Sequence, residues 1–241
     1  DQSPEELFVA GAAALGPVLQ TVASDAVALN EAISEILKYS LMRRDRGTKM
    51  LEIHRLVQAV LRQEMDESLQ RIWVERTVRA VNLAFPAVEF SNWSACERLL
   101  PQASVCAQLI SELDLRFEEA ARLLNQTGFY LYERARYNKA EPLHQRALAI
   151  YEQALGPDHP SVTLSLNNLA ALYYAQSQYA QAEPLYQRAL TILEKALGPE
   201  HPNVATCLEN YAELLTETGR TELADQFRQR AAAIRAKLAA D

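Results

Sequence analysis

Glycine is scarce in this chain, seven residues in 241, and aromatic residues make up only 7%. That scarcity disfavours a turn-rich sheet domain, while the abundant Ala, Leu, Gln, Glu and Arg favour helices. None of the seven glycines is followed by lysine, which excludes a GxxxxGK[ST] phosphate loop, and no GxGxxG is present. ATP hydrolysis is therefore not expected of this chain. Cysteine is also sparse. Cys96, Cys106 and Cys207 form no CxxC and no Cys/His cluster, so neither a disulfide framework nor a zinc site is indicated. No apolar run approaches the roughly 20 residues of a membrane span, and the opening residues lack a charged-then-apolar signal pattern. A cytoplasmic location is expected. Positive charge is in deficit, with a net charge of -7 and a pI near 5.3, which argues against nucleic acid or an anionic membrane as a general partner. His54, His144, His159 and His201 stand near no Ser or Cys in a recognisable nucleophilic setting, so no catalytic residue is assigned.

What is present is a repeat. "ALGPDHPSV" from Ala154 returns as "ALGPEHPNV" from Ala196, an interval of 196 − 154 = 42 residues. "YNKAEPLHQRALAIYEQALGPDHP" from Tyr137 is matched by "YAQAEPLYQRALTILEKALGPEHP" from Tyr179, and "TELADQFRQRAAAIRAKLAAD" from Thr221 is a weaker third copy. Blocks of 119–160, 161–202 and 203–241 follow. Each predicts a helical hairpin: Leu166, Leu169, Ala170 and Tyr173 share one face of a first helix, and Ala182, Leu185, Ala189 and Ile192 mark the buried stripe of a second. Ala170, Ala182 and Ala189, with Gly128, Ala140 and Ala147 one block earlier, allow close approach of helix axes. Gly198 suits the left-handed conformation after the second helix, and Pro202 suits the first turn of the next.

Opposite the core stripe lies a second face: Arg122, Asn125, Phe129 and Tyr132 in the first block, Leu164, Asn167, Ala171 and Tyr174 in the second, Thr206, Glu209, Glu213 and Thr216 in the third. Stacked repeats bring such faces into one groove. The expected ligand is an extended protein or peptide segment. Its backbone would meet Asn125 and Asn167, its apolar side chains Phe129 and Tyr132, and a basic residue Glu209 and Glu213.

The motifs "LNNLA", "AEPLYQRAL" and "LGPEHP" resemble the tetratricopeptide repeat in the 42-residue form of kinesin light chains and many bacterial signalling proteins. The resemblance covers about 120 residues and implies a superhelix that binds protein. The third copy, with Thr221 and Arg228 in place of Tyr179 and Tyr186, departs toward a terminal cap.

The N-terminal region differs. "DQSPEELF" is expected to be a loop delivering Pro4 to a helix near 4–14, and the Asp1 start reads as an internal boundary of a longer protein. A shorter helix near 17–23 and one capped by Asp25, carrying Leu29, Ile33, Ile36 and Leu37 on one face, precede two short strands, "YSLMRR" and "KMLEIH", around "DRGT". His54 then opens a last helix whose Leu56, Val57, Val60 and Leu61 require a core. Helices followed by a two-stranded wing are read as a winged-helix domain. Its basic cluster, Arg43, Arg44, Arg46 and Lys49, keeps open a DNA-binding regulator as an alternative, against the carboxylates Glu31 and Glu35 on the preceding helix. "RIWVERTVRAVNLAF" and "WSACERLLPQASVCAQLISEL" form a helical connector.

The run "ILKYSLMRRDRGTKMLEIHRLVQAVL" resembles the winged-helix part of NB-ARC ATPases, the STAND signalling proteins. In that family a Met-His-Asp-like motif opens the last winged-helix helix, and its histidine contacts the β-phosphate of bound ADP in the resting protein. The matching residues are Ile53, His54 and Arg55, with only the histidine kept. Local features alone favour a capping or surface histidine, and it is the surrounding resemblance that points to the nucleotide contact. The expected architecture is mainly α: a winged helix with a small β-hairpin over 1–67, a connector or degenerate repeat over 68–118, and a tetratricopeptide superhelix over 119–241. The resemblance implies a bacterial, autoinhibited sensor fragment. Its winged helix would restrain the protein's own NB-ARC ATPase domain, and ADP or ATP would bind only in the full-length protein. No metal or cofactor is expected in this chain. A repeat scaffold without a nucleotide switch is the alternative.

Overall fold

A computed structural model describes residues 2–238 and is mainly helical. Contacts group the chain into two compact units, Asp1–Leu115 and Arg116–Asp241.

The first unit opens with a strand, β1 (Gln2–Pro4), where a loop was expected. It pairs antiparallel with β3 (Met50–Ile53), which pairs antiparallel with β2 (Met42–Asp45), giving a three-stranded sheet of order β1-β3-β2. Three residues with no apolar alternation carry no periodic signal. The pairing instead satisfies the free edge of the hairpin. Pro4 accordingly ends the strand, and α1 (Glu5–Ala10) starts one residue later. A 3-10 turn at Ala12–Ala14, α2 (Pro17–Ala23) and α3 (Ala26–Lys38) follow. Asp25 caps α3, its Oδ1 accepting from the Val27 and Ala28 amides at 2.7 and 3.2 Å.

Ile33, Met42 and Leu51 form a small core against Phe8, Leu29, Leu37 and Ile53. Ile36, expected on the same face, is 39% exposed. At the hairpin tip Asp45 Oδ1 accepts from the Gly47 and Thr48 amides, and these bonds lower its carboxyl pKa. Arg44 leaves the hairpin's basic cluster: it clamps Glu5 through Nε–Oε1 at 2.6 Å and a second bond at 2.7 Å. Next come α4 (Arg55–Glu64), α5 (Glu67–Ala84) and α6 (Trp93–Glu112). Arg98 of α6 bonds the Glu6 carboxylate and the Thr48 carbonyl, and Gln102 donates to the Gln2 carbonyl at 2.6 Å. The α5–α6 hairpin thus packs with the sheet. By contrast α4 buries no residue: Leu56, Val60 and Leu61 are 70%, 57% and 47% exposed, which corrects the expectation of a core beneath them.

The second unit stacks three hairpins: α7 (Glu118–Glu133) with α8 (Tyr137–Leu155), α9 (Pro160–Ala175) with α10 (Tyr179–Leu197), and α11 (Pro202–Glu217) with α12 (Thr221–Leu238). Leu166, Leu169, Ala170 and Tyr173 are buried as the spacing predicts. On α10 the stripe shifts by one residue, so Leu185 is only half-buried while Tyr186 and Leu193 join Ala182, Ala189 and Ile192 inside. Gly198 has φ 89° and ψ 157°, an extended positive-φ conformation rather than the helical left-handed one, and again one that favours glycine.

Polar contacts recur with the repeat. The Tyr173 hydroxyl donates to Glu141 at 2.9 Å, and Tyr211 donates to Glu183 at 3.0 Å. Arg188 reaches back to Glu152 at 2.6 Å and to the Pro157 carbonyl at 3.0 Å, while Arg230 does the same to Glu194 and Pro199 at 2.5 and 3.2 Å. The "LGP" loop is therefore an acceptor for the next hairpin as well as a helix stop. These arginines are about two-fifths exposed. Replacing Arg188 or Arg230 with Ala should each cost about 0.5 kcal/mol, roughly additively because the staples lie at separate interfaces. The midpoint of urea unfolding is the measurement.

Candidate functional site

Among the predicted residues, Phe129, Tyr132, Leu164, Asn167, Tyr174 and Glu213 come together, with Ala171, around a cavity of about 830 Å³ formed by α7, α9, α10 and α11. Leu164 is half exposed. Asn167 Oδ1 accepts the Cys207 thiol at 3.4 Å, which leaves its amide donors without a partner among the described residues. Phe129 and Tyr132 stack at 6.0 Å. Burial raises the Tyr132 and Tyr174 hydroxyl pKa values, and carboxylates add to it, Glu133 and Glu213 for the first, Glu217 and Glu213 for the second. Both hydroxyls stay neutral at physiological pH and can donate or accept.

Arg122, Asn125 and Glu209 do not line this cavity. Asn125 is 2% exposed, and its Oδ1 accepts from His144 Nδ1 at 2.9 Å, from Asn168 Nδ2 at 3.3 Å and from Ser165 Oγ at 3.4 Å. Its carboxamide is an internal strut between consecutive hairpins, a correction to the expected backbone contact. Because an amide oxygen only accepts, His144 carries its proton on Nδ1 and leaves Nε2 bare, buried and unpartnered. Burial lowers the His144 pKa to about 4, which keeps the ring neutral. Glu209 is corrected too. Arg235 of α12 holds it through bonds of 2.6 Å and lowers its carboxyl pKa.

Sequence reasoning missed Tyr186 and Asn168 as cavity-lining residues. The signal available was the 42-residue column: Ala171 falls between Phe129 and Glu213, so the central helix offers the smallest side chain and exposes what lies beneath.

His54 is the exposed N-cap of α4, and its Nδ1 accepts from the Leu56 amide at 3.3 Å. His159 and His201 cap α9 and α11 in the same way, accepting from the Ser161 and Asn203 amides at 3.2 and 3.1 Å. With Nδ1 occupied, the Nε2–H of His54 points away from its own cap as a donor beside a helix N-terminus. Among the described residues no group of three His, Cys, Asp or Glu is placed to hold a metal ion, and no helix is long and apolar enough to cross a membrane.

A tetratricopeptide-repeat family model matches residues 119–195 and again 161–237. Residues 1–70 match a family described only as a domain of unknown function, DUF7779. A nucleotide-binding leucine-rich repeat (NLR)-like protein of Hyaloscypha variabilis is 29% identical over 140 residues, which is 57% of this chain and 14% of that protein. The chain thus spans a small part of that relative. Among solved structures, BtubC (BKLC) from P. vanneervenii superposes with a TM-score of 0.61 at 16% identity, covering 97% of this chain and 91% of that one. A Podosopora anserina protein described as a kinesin light chain with nearly identical TPR-like repeats gives 0.54 at 19%, covering 76% and 84%. At these identities the structures establish the fold alone. Repeats of this fold typically bind proteins and are typically non-catalytic, and the groove fits a protein-binding fragment.

Proposed function

We propose that this chain is the sensor and restraint portion of a STAND-type signalling ATPase. The repeats bind a protein or peptide segment, and the N-terminal unit, as a winged helix, holds the protein's own NB-ARC domain in its ADP state. The observation that carries this reading is the α4 corner. An exposed imidazole with a free Nε2 donor stands at the positive end of a helix whose apolar stripe, Leu56, Val60 and Leu61, is bare. A nucleotide-binding domain seated there would cover the stripe and place a phosphate against His54. The relative's description as a nucleotide-binding NLR-like protein supports this reading.

Loss of Arg44 to the Glu5 pair weighs against the wing as a DNA contact. A scaffold without a switch would leave His54 only its capping role. In the intact protein, His54→Ala should speed ADP release at least about tenfold, the loss of roughly one charge-assisted hydrogen bond, and raise ligand-independent signalling. Unchanged nucleotide retention with a stability loss of about 1 kcal/mol or less would assign His54 to capping alone.

A further inference from the structure

The groove's middle column runs Phe129, Ala171, Glu213, one residue from the first helix of each of three successive hairpins. Ala171 opens a well at the centre, with Phe129 on one side and a carboxylate on the other. Tyr186 lines it from below at 2% exposure, and its hydroxyl has no hydrogen-bond partner among the described residues. A phenol hydroxyl that lines the cavity and makes no such bond is free to donate to or accept from a ligand group entering the well.

Charge narrows that group. Glu152, Glu183, Glu194 and Glu209 of the same repeats each hold an arginine, whereas Glu213 makes no ion pair among the described residues. Glu133 and Glu213 line the cavity, and no lysine or arginine does. Burial first, and then Glu133 and Glu213 at Tyr132 and Glu217 and Glu213 at Tyr174, raise the pKa values of the two hydroxyls beside this end of the cavity.

Resting on the reading that the repeats bind a protein segment here, we propose that the groove selects its partner by one lysine or arginine side chain, seated over Ala171. The alkyl stem would lie along Phe129. The cationic head would donate to the Tyr174 and Tyr186 hydroxyls and to Glu213, with tyrosine ring faces beside it. A neutral or acidic side chain leaves Glu213 and Tyr186 uncompensated, so the well rejects as well as attracts.

The test is selection of a displayed library of random 12-residue peptides on the 241-residue chain, followed by fluorescence anisotropy with the enriched peptides. Enriched sequences are expected to share one Lys or Arg among apolar residues. Their affinity should fall about tenfold on replacing that residue with norleucine and about tenfold with Glu213→Gln. Tyr186→Phe, which keeps the buried ring, should weaken binding severalfold. Leu164→Arg at the exposed wall should abolish binding of any groove ligand, and circular dichroism checks the fold of each variant. Peptides that lose binding with Leu164→Arg yet need no cation, or are unchanged by Glu213→Gln, overturn the cation site and leave the groove reading intact. Peptides indifferent to Leu164→Arg, or none recovered, overturn both.

Discussion

Acidification from pH 6.5 to pH 4 is expected to remove about 3 kcal/mol of stability from the repeat unit through one residue, His144. The ring is fully buried against Gly128, donates to Asn125 and leaves Nε2 bare, so a second proton would place an unpaired charge in the interior. Its folded pKa, about 4, lies below the unfolded value of 6.5. Between those limits the unfolded chain binds a proton that the folded chain refuses, so unfolding gains as pH falls. The contribution is complete above pH 6.5, lost toward pH 4 and level below it, where both states are protonated. Glu183 and Glu209, held low by Arg220 and Arg235, lose their contributions at more acid pH. Urea unfolding at stepped pH measures the slope. His144→Tyr, which installs the residue found at the equivalent position 186, should flatten it. An unchanged slope would show that His144 is protonated or solvated in the folded state.

Gly128→Ala should destabilise the chain by about 2 kcal/mol, although alanine ordinarily favours a helix interior over glycine by about 1 kcal/mol. A Cβ at Gly128 would stand 2.9 to 3.1 Å from three atoms of the His144 ring, closer than packed atoms allow. The ring cannot retreat without giving up Asn125, which also receives Asn168 and Ser165 of the next hairpin. Pairing Gly128→Ala with His144→Ala should recover part of the loss, a coupling that identifies the ring as the obstruction. The reverse change in the next block, Ala170→Gly, should cost about 1 kcal/mol from propensity. Thermal unfolding of the parent, the two single variants and the Gly128→Ala/His144→Ala pair gives the cycle, and a stabilised Gly128→Ala protein would contradict the packing described.

The repeats were legible because their signal is written three times. Period, the buried face of α9 and the proline-marked starts of α9 and α11 follow from the repeated copies and the structure places them accordingly, while the stripe of α10 falls one residue away from its expected place. The β2–β3 hairpin and the Asp25 cap were legible from local chemistry. β1 was not, since its three residues pair with a strand some fifty positions away and carry no pattern of their own. Nor were the ends of long side chains. Asn125 and Asn167 occupy equivalent positions, yet one reaches inward to a histidine and the other lines the cavity, because position 144 is His where position 186 is Tyr. Glu209 was lost to the site in the same way, by Arg235 twenty-six residues on. Spacing fixes which face a residue occupies, whereas its partners depend on the whole stack.

The staples and the groove draw on different columns of the repeat. Glu152 and Glu194, Arg188 and Arg230, and the tyrosine acceptors Glu141 and Glu183 are the same residue in consecutive blocks, while the groove columns change from Arg to Leu to Thr and from Phe to Ala to Glu. Assembly is thus written in constant letters and recognition in variable ones. A duplicate of 161–202 inserted after 202 would find its arginine, glutamate and tyrosine partners on both sides and add one more set of four positions to the reading surface. The length and composition of the segment such a protein can distinguish are therefore free to change in whole-repeat steps, without renegotiating how the hairpins hold together.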